Sequence, residues 1–325
     1  MNSLCRGLLR VLALVAGFCL TGPLAAQTYP SRTITIVNPY APGAGVDPVA
    51  RLVAQKLGER LGQQVIVDNK MGAAGMLGAG FVAAAKPDGY TLLMSASNDM
   101  AINQHLYKNI RYNALRDFAP ITQVVQLPMV LVVHPAVPAT TLREFVALAK
   151  SKPDALTYAS PGNGTLQHLV AARLQSVAGI QMLHVPYKDR LMVDLLAHQV
   201  DAAFLGAHVV APQVKAGKLR ALAVTTPQRI PSAPDLPTAA EQGFSGMEFN
   251  QWFGFYAPAG TPDPILRLLH RETVAVLALP EVRDALAAQG ATVVGSTPEA
   301  FAAFLKSEID RFGLLVKQSG ATVEQ

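Results

Sequence analysis

Short apolar runs rich in Val, Ile and Leu alternate along this chain with segments of helical periodicity, and that alternation restricts the fold more than any other feature. Thr33–Val37 reads as a strand, and Val49–Leu61 as a helix with Val49, Leu52, Val53, Leu57 and Leu61 on one face. Val65–Asp68 is a second strand. Met76–Ala85 is helical and stops at Lys86-Pro87-Asp88-Gly89, and Tyr90–Ser95 is a third strand. This β-α-β-α-β order predicts a parallel sheet covered by helices.

The order recurs further on. After a less regular stretch, Met129–His134 is a strand, and Thr141-Leu142-Arg143-Glu144 reads as a capping box for a helix to Lys150. Strands at Leu156–Ala159, Met182–Val185, Asp201–Leu205 and Leu219–Thr225 follow, with helices at Leu166–Ala178 and Leu191–His198. Pro227–Pro237 is extended loop and Asn250–Ala257 an aromatic strand. Thr261-Pro262 and Thr297-Pro298 each place a hydroxyl before a proline, the pattern that opens a helix. The reading is α/β, with two doubly wound lobes and a helical C-terminal segment. A ligand should lie at the carboxyl ends of strands, where helices begin.

The chain opens with Arg6 and Arg10 and no acid, then an apolar run from Val11 to Leu20, then Thr21-Gly22-Pro23-Leu24-Ala25-Ala26. That order predicts a signal peptide of residues 1–26. The run is too short to span a bilayer, which takes ~20 residues. Both cysteines, Cys5 and Cys19, fall in this segment. A mature chain would then have no disulfide, thiol nucleophile or Cys-ligated metal. Losing two arginines takes the net charge from +5 to +3. No basic run interleaved with aromatics suggests nucleic acid.

Four strand-to-helix loops carry the candidate chemistry. The first is Asn38-Pro39-Tyr40-Ala41-Pro42-Gly43-Ala44-Gly45-Val46-Asp47-Pro48. Its glycines allow close backbone approach, and the helix start offers unpaired N–H groups and a positive dipole end. Tyr40, Ala41, Gly43, Ala44 and Gly45 are candidate ligand contacts. Asp47, just before Pro48, is either the helix N-cap or a direct contact. The second loop, Ser160-Pro161-Gly162-Asn163-Gly164-Thr165, repeats the chemistry with Ser160, Gly162, Asn163, Gly164 and Thr165 as candidates. It is equally readable as a left-handed turn with a Thr165 cap. His168, one turn on, is a packed residue or an anion donor. Ser95 and Ser97 end the third strand and either donate to a ligand or make a turn. Leu205, Gly206 and Ala207 end a later strand and could line a cleft.

Several motifs are missing. There is no Gly-x-Ser-x-Gly elbow, no phosphate loop and no His-Glu-x-x-His. Gly78-Ala79-Gly80-Phe81-Val82-Ala83 imitates a dinucleotide fingerprint but does not follow its strand directly. Its small residues are expected to permit close helix packing. No enzyme, cofactor or metal is expected.

A chain of motifs in one order carries a family resemblance. It begins at Tyr29-Pro30-Ser31-Arg32 and Asn38–Gly43, and continues through Asp68-Asn69-Lys70-Met71-Gly72-Ala73-Ala74-Gly75 and Lys86-Pro87-Asp88-Gly89-Tyr90. Asp117–Thr122, Tyr158–Thr165, His184-Val185-Pro186-Tyr187-Lys188, Ala216–Val224, Asp235–Thr238 and Ala257–Pro262 follow. The chain resembles the tripartite tricarboxylate transporter substrate-binding proteins, the Bug-type receptors. The resemblance implies a type II periplasmic binding fold with a ligand cleft between two lobes, residues 27–124 with 226–325 and residues 125–225, the C-terminal helices returning to the first. It implies a small organic carboxylate as ligand, gripped by the loops matching Tyr40–Asp47 and Ser160–Thr165. Membrane transporter subunits are the implied partners, and the periplasm the implied location. A monomer is expected. The alternative is a receptor that passes the signal to a membrane sensor kinase. The sequence departs from the family at Ala44, where glycine is usual, and at Asp189-Arg190-Leu191, after Lys188.

Overall fold

The computed structural model describes residues 29–43 and 45–323. The predicted signal peptide and Ala44 lie outside the described residues. The chain divides into residues 1–31 and residues 32–325, and the fold below is that of the second unit.

The first alternating segment folds as β1 (Ile34–Asn38), α1 (Val46–Leu61), β2 (Val65–Asn69), α2 (Met76–Ala83) and β3 (Thr91–Ala96). β1 pairs in parallel with both β2 and β3. After β3 a π-helical turn, Asn98–Ile102, runs into the short helical stretch Asn103–Leu106. Of the two glycines in α2, Gly78 packs closely, while a Cβ on Gly80 would meet only the Tyr112 ring, at 4.0 Å. A Cβ on Gly78 would stand 2.8 Å from the Lys70 carbonyl and 3.1 Å from Pro39 Cα. The packing role expected for the false fingerprint therefore falls to Gly78.

Strand β4 runs Phe118–Val133, eleven residues earlier than the Met129 start read from the sequence. Pro120, Pro128 and the glutamines at 123 and 126 hid it, because they break the apolar run without breaking the pairing. The ladder absorbs Pro120 at a register shift between Pro120 and Thr122. β4 joins two groups of strands. Its first part pairs antiparallel with β9 (Asn250–Pro258) and with the two-residue β10 (Thr292–Val293). Its last part, Met129–Val133, pairs antiparallel with β7 (Ala202–Gly206) and β8 (Arg220–Val224). β9 closes the first group against β3.

The middle of the chain adds α3 (Leu142–Ser151), β5 (Thr157–Ser160), α4 (Leu166–Ala178), β6 (Leu183–Pro186) and α5 (Leu191–Leu196). β5 lies in parallel between β6 and β7. A helix the sequence did not suggest, α6 (Ala207–Lys215), leaves β7 directly, with Pro212 inside it. The tail is α7 (Asp263–Leu277), α8 (Pro280–Ala288) and α9 (Pro298–Ser319). Thr297 caps α9 as expected, accepting from Ala300 N at 3.2 Å. Thr261 does not cap α7. Pro262 takes the cap position, and the Thr261 hydroxyl donates to the Pro258 carbonyl at 2.8 Å.

The period-2 alternation of β4 sorts two cores. Met129, Leu131 and Val133 face a large cluster that also holds Val37, Leu93, Phe145, Leu169, Trp252, Phe301 and Phe312. Val130 and Val132 face a smaller one with Ala159, Leu195, Leu205 and Val210. The larger cluster draws on both strand groups, and the smaller one belongs to the second group. α9 packs on α4, on the turn Asn98–Ile102 and on β4, tying the two groups together from the tail.

Candidate functional site

Loop one is held by a buried carboxylate. Asp47 is 1% exposed. Its Oδ1 accepts from Asn69 Nδ2 at 2.7 Å and Asn38 Nδ2 at 3.2 Å. Its Oδ2 accepts from Gly43 N and Arg51 Nε, both at 2.8 Å. Burial works to raise its pKa. The bonds from Arg51, Gly43, Asn69 and Asn38 outweigh burial and bring it down to about 2. Asp47 is not the N-cap of α1. That position is Gly45, at φ 56°. Asp47 sits within the first turn and reaches back to fasten the loop. Asn38 Oδ1 also accepts from Tyr40 N at 3.1 Å, and Asn69 Nδ2 donates to the Tyr40 carbonyl at 2.9 Å.

Asn38, Asn69 and Arg51 were not among the candidates. Arg51 lies one turn after Asp47, a spacing the sequence shows, whereas the register that sets Asn38 beside Asn69 belongs to the fold. Ala41, Gly43 and Gly45 are exposed along this loop.

Loop two is held by neutral groups. Gly164 N donates to His168 Nδ1 at 3.0 Å, and Gly162 N donates to Ser160 Oγ at 3.1 Å. The Ser160 hydroxyl lies 2.7 Å from His184 Nε2. Thr165 Oγ1 donates to the Gly162 carbonyl at 2.8 Å and makes no cap bond to α4. His168 and His184 stack at 4.0 Å between ring centroids, 3° from parallel, and Tyr158 stacks on His184 at 4.9 Å. Burial holds His168 below the ordinary histidine range. Burial and, second, the neighbouring His168 bring His184 down to about 4. His168 is thus a packed residue that shapes the loop. With Nδ1 accepting, its proton sits on Nε2.

These bonds commit the Gly43, Gly162 and Gly164 amides within the protein. Among the described residues, the Ala41 and Asn163 N–H groups have no protein acceptor, and both residues are exposed. With the first turns of α1 and α4 they are the donors an anion could meet.

The stretch from Ser97 to Leu106 touches both loops. The Tyr40 hydroxyl donates to Asp99 Oδ1 at 2.5 Å. A Cβ on Gly164, whose φ is 73°, would fall 2.3 Å from Leu106 Cδ1. Ser95 and Ser97 are fully buried. Ser95 donates to Asp99, and the Ser97 hydroxyl has no protein partner. The fourth candidate loop is placed differently. Leu205 and Ala207 pack in the smaller core, and a Cβ on Gly206 would lie 3.0 Å from the His208 ring. Ala207 also lines a cavity of about 340 Å³ with Val210, Val214, Lys215 and Ile230. A second cavity, about 750 Å³, lies beside it under Ser232–Pro237. Neither is lined by the glycine loops.

At the sequence departures, Arg190 takes φ 60°, a left-handed conformation that glycine adopts without strain. Lys188 and Asp189 are exposed. No group of three or more His, Cys, Asp or Glu side chains among the described residues is placed to hold a metal. No described helix is long and apolar enough to cross a membrane.

The curled mixed α/β sheet is the fold of periplasmic binding proteins. The model of the tripartite tricarboxylate transporter family receptor matches residues 49–321, and the chain belongs to that family. The family is one of solute-binding receptors, not of enzymes. Protein BugT of Bordetella pertussis is 35% identical over 322 residues, covering 97% of this chain and 99% of BugT. The periplasmic binding protein BugD superposes with a TM-score of 0.77 at 35% identity, over 91% of this chain and 100% of BugD. R. palustris Rpa4515 with adipate gives 0.81 at 31% identity, over 90% of this chain and 99% of that protein. MatC from Rhodopseudomonas palustris with bound malate gives 0.76 at 31%, over 89% and 100%.

Proposed function

We propose that this chain is a periplasmic receptor that captures a small organic carboxylate and delivers it to a tripartite tricarboxylate-type membrane transporter. The signal peptide 1–26 exports it, and the mature protein works as a monomer. Two lobes, residues 27–124 with 226–325 and residues 125–225, close on the ligand. The first turns of α1 and α4, with Ala41 N and Asn163 N, hold the carboxylate. The observation that carries this reading is the shared stretch Ser97–Leu106, which contacts both glycine loops. Adipate and malate, bound by two relatives of the same fold, support a ligand of that size class.

The test is a thermal-shift and calorimetry screen of the mature chain against C4 to C6 dicarboxylates. A ligand present at 100 times its Kd stabilises the folded state by about 2.7 kcal/mol. A clear rise in Tm with no chemical conversion of the acid is expected. No shift with any carboxylate, or turnover of a bound one, would overturn the reading.

A further inference from the structure

Behind the first glycine loop lies a carboxyl group with no cation. Asp99 is 1% exposed. Its Oδ1 accepts from the Tyr40 hydroxyl and, at 3.3 Å, from Ala96 N, while its Oδ2 accepts from the Ser95 hydroxyl. The elements packed around it present Tyr40 from loop one, Ser95 from β3, Tyr112 from the segment before β4 and Tyr256 from β9. Tyr112 donates to the Asp99 main-chain carbonyl, and the Tyr256 hydroxyl is buried without a partner. On the remaining side is Gly75, where a Cβ would stand 3.2 Å from Asp99 Cβ. No Lys, Arg or His among the described residues pairs with Asp99. Asp47, on the same loop, is equally buried yet has Arg51 and three further donors. Burial pushes the Asp99 carboxyl up to about 7, against the downward pull of Tyr40 and of backbone amides.

Tyr40 connects this carboxyl to the proposed anion site. Its N–H and C=O are fixed by Asn38 and Asn69 and so shape loop one. Its hydroxyl ends on Asp99. An anion seated on loop one would therefore arrive near a second, poorly screened negative charge. We propose that Asp99 is a proton-binding site coupled to ligand capture, so that an anion settling on loop one draws a proton from solvent onto Asp99. The inference rests on the reading of loop one as an anion site. No bond to the ligand forms or breaks. The proton comes from water or buffer and returns there when the ligand leaves. By reciprocity, protons and ligand each tighten the binding of the other.

The test is calorimetry with malate and adipate at pH 7 in buffers of different ionisation enthalpy. If the bound anion raises the Asp99 pKa by about one unit, ligand binding takes up about 0.4 proton. The Kd should then rise roughly sixfold from pH 6.5 to pH 8.5, where the ligand itself stays ionised. Asp99→Asn should bind with no proton uptake and a flat Kd over that range. Carbon-13 NMR of the unliganded wild type, with its Asp99 carboxyl titrating near neutrality and shifting upward with ligand, gives a readout that needs no variant. Binding with a flat Kd and no proton uptake in the wild type overturns the coupling alone. Unchanged proton uptake in Asp99→Asn does the same. If neither acid nor any other dicarboxylate binds, the capture reading fails and the coupling falls with it.

Discussion

The two glycine loops use the same backbone device and opposite chemistry behind it. Loop one is fastened by charge: Asp47, drawn well below the carboxylate range, collects Arg51, two asparagines and Gly43 N. Loop two is fastened by neutral groups: an imidazole accepts from Gly164 N and a hydroxyl accepts from Gly162 N. The difference follows from what lies next to each. Arg51, half-exposed, supplies a cation to loop one from solvent-facing helix surface. Loop two backs onto the Tyr158–His184–His168 stack in the interior, where burial works against charge on either ring. A carboxylate lock needs its proton removed, and an imidazole acceptor needs the same. Both loops therefore fail under acid, but the neutral one fails first.

The largest effect should come from removing the charged lock. Asp47→Ala leaves Gly43 N, Asn38, Asn69 and Arg51 without their shared acceptor. An unmade bond at a buried donor costs about 1–3 kcal/mol, and here several are lost together. A loss of about 3–4 kcal/mol in stability is expected, with capture weakened by on the order of 100-fold. Chemical denaturation and calorimetry of the same preparation measure both. A variant that melts like the wild type and binds as tightly would show that loop one holds its shape without Asp47.

Gly164→Ala probes loop two at the point where it meets the stretch after β3. Alanine at φ 73° carries a left-handed penalty of about 1–2 kcal/mol, and its Cβ would press into Leu106. A total loss of about 2–3 kcal/mol is expected. Leu106→Ala relieves only the steric part, so a double-mutant cycle should show the two changes coupled by about 1 kcal/mol. Additive losses would mean that Leu106 moves aside freely, and that the contact does not set the separation of the loops.

How much of this was legible beforehand differs between the loops for a physical reason. The strands, most helices and both glycine loops follow from periodicity and turn residues, which act locally. The locks do not. Asp47 looked like a cap because it precedes a proline, and nothing local says that its partners come from two strand ends, Asn38 and Asn69. His184 is sixteen residues past His168, and only the parallel pairing of β5 with β6 brings it alongside. β4 is longer than its propensities predict because pairing with β9 tolerates prolines that a propensity argument rejects. Nothing local marks Asp99 beside Ser95 and Ser97, since burial without a cation is a property of packing alone.

The smallest effect separates the neutral lock from the charged one by its pH dependence. His168 is held below its ordinary pKa by burial, and His184 is brought down to about 4 by burial and then by His168. In the unfolded chain both titrate near 6.5. The unfolded state therefore binds more protons as pH falls below 6.5, and the stability present above that value is lost progressively towards pH 4. Since His184 is only half-buried, the loss through it is discounted to about 1–2 kcal/mol. His168→Asn offers Oδ1 as an acceptor for Gly164 N, but it neither titrates nor stacks. At pH 7.5 it should be about 1 kcal/mol less stable than the wild type. The gap should narrow between pH 6.5 and pH 4.5, because only the wild type must keep an imidazole neutral at position 168. Proton NMR supplies a second readout: without His168 beside it, His184 should titrate above about 4 while staying depressed by burial. A gap that stays constant with pH, together with an unmoved His184, would show that the stack is packing only and that loop two does not depend on a neutral ring.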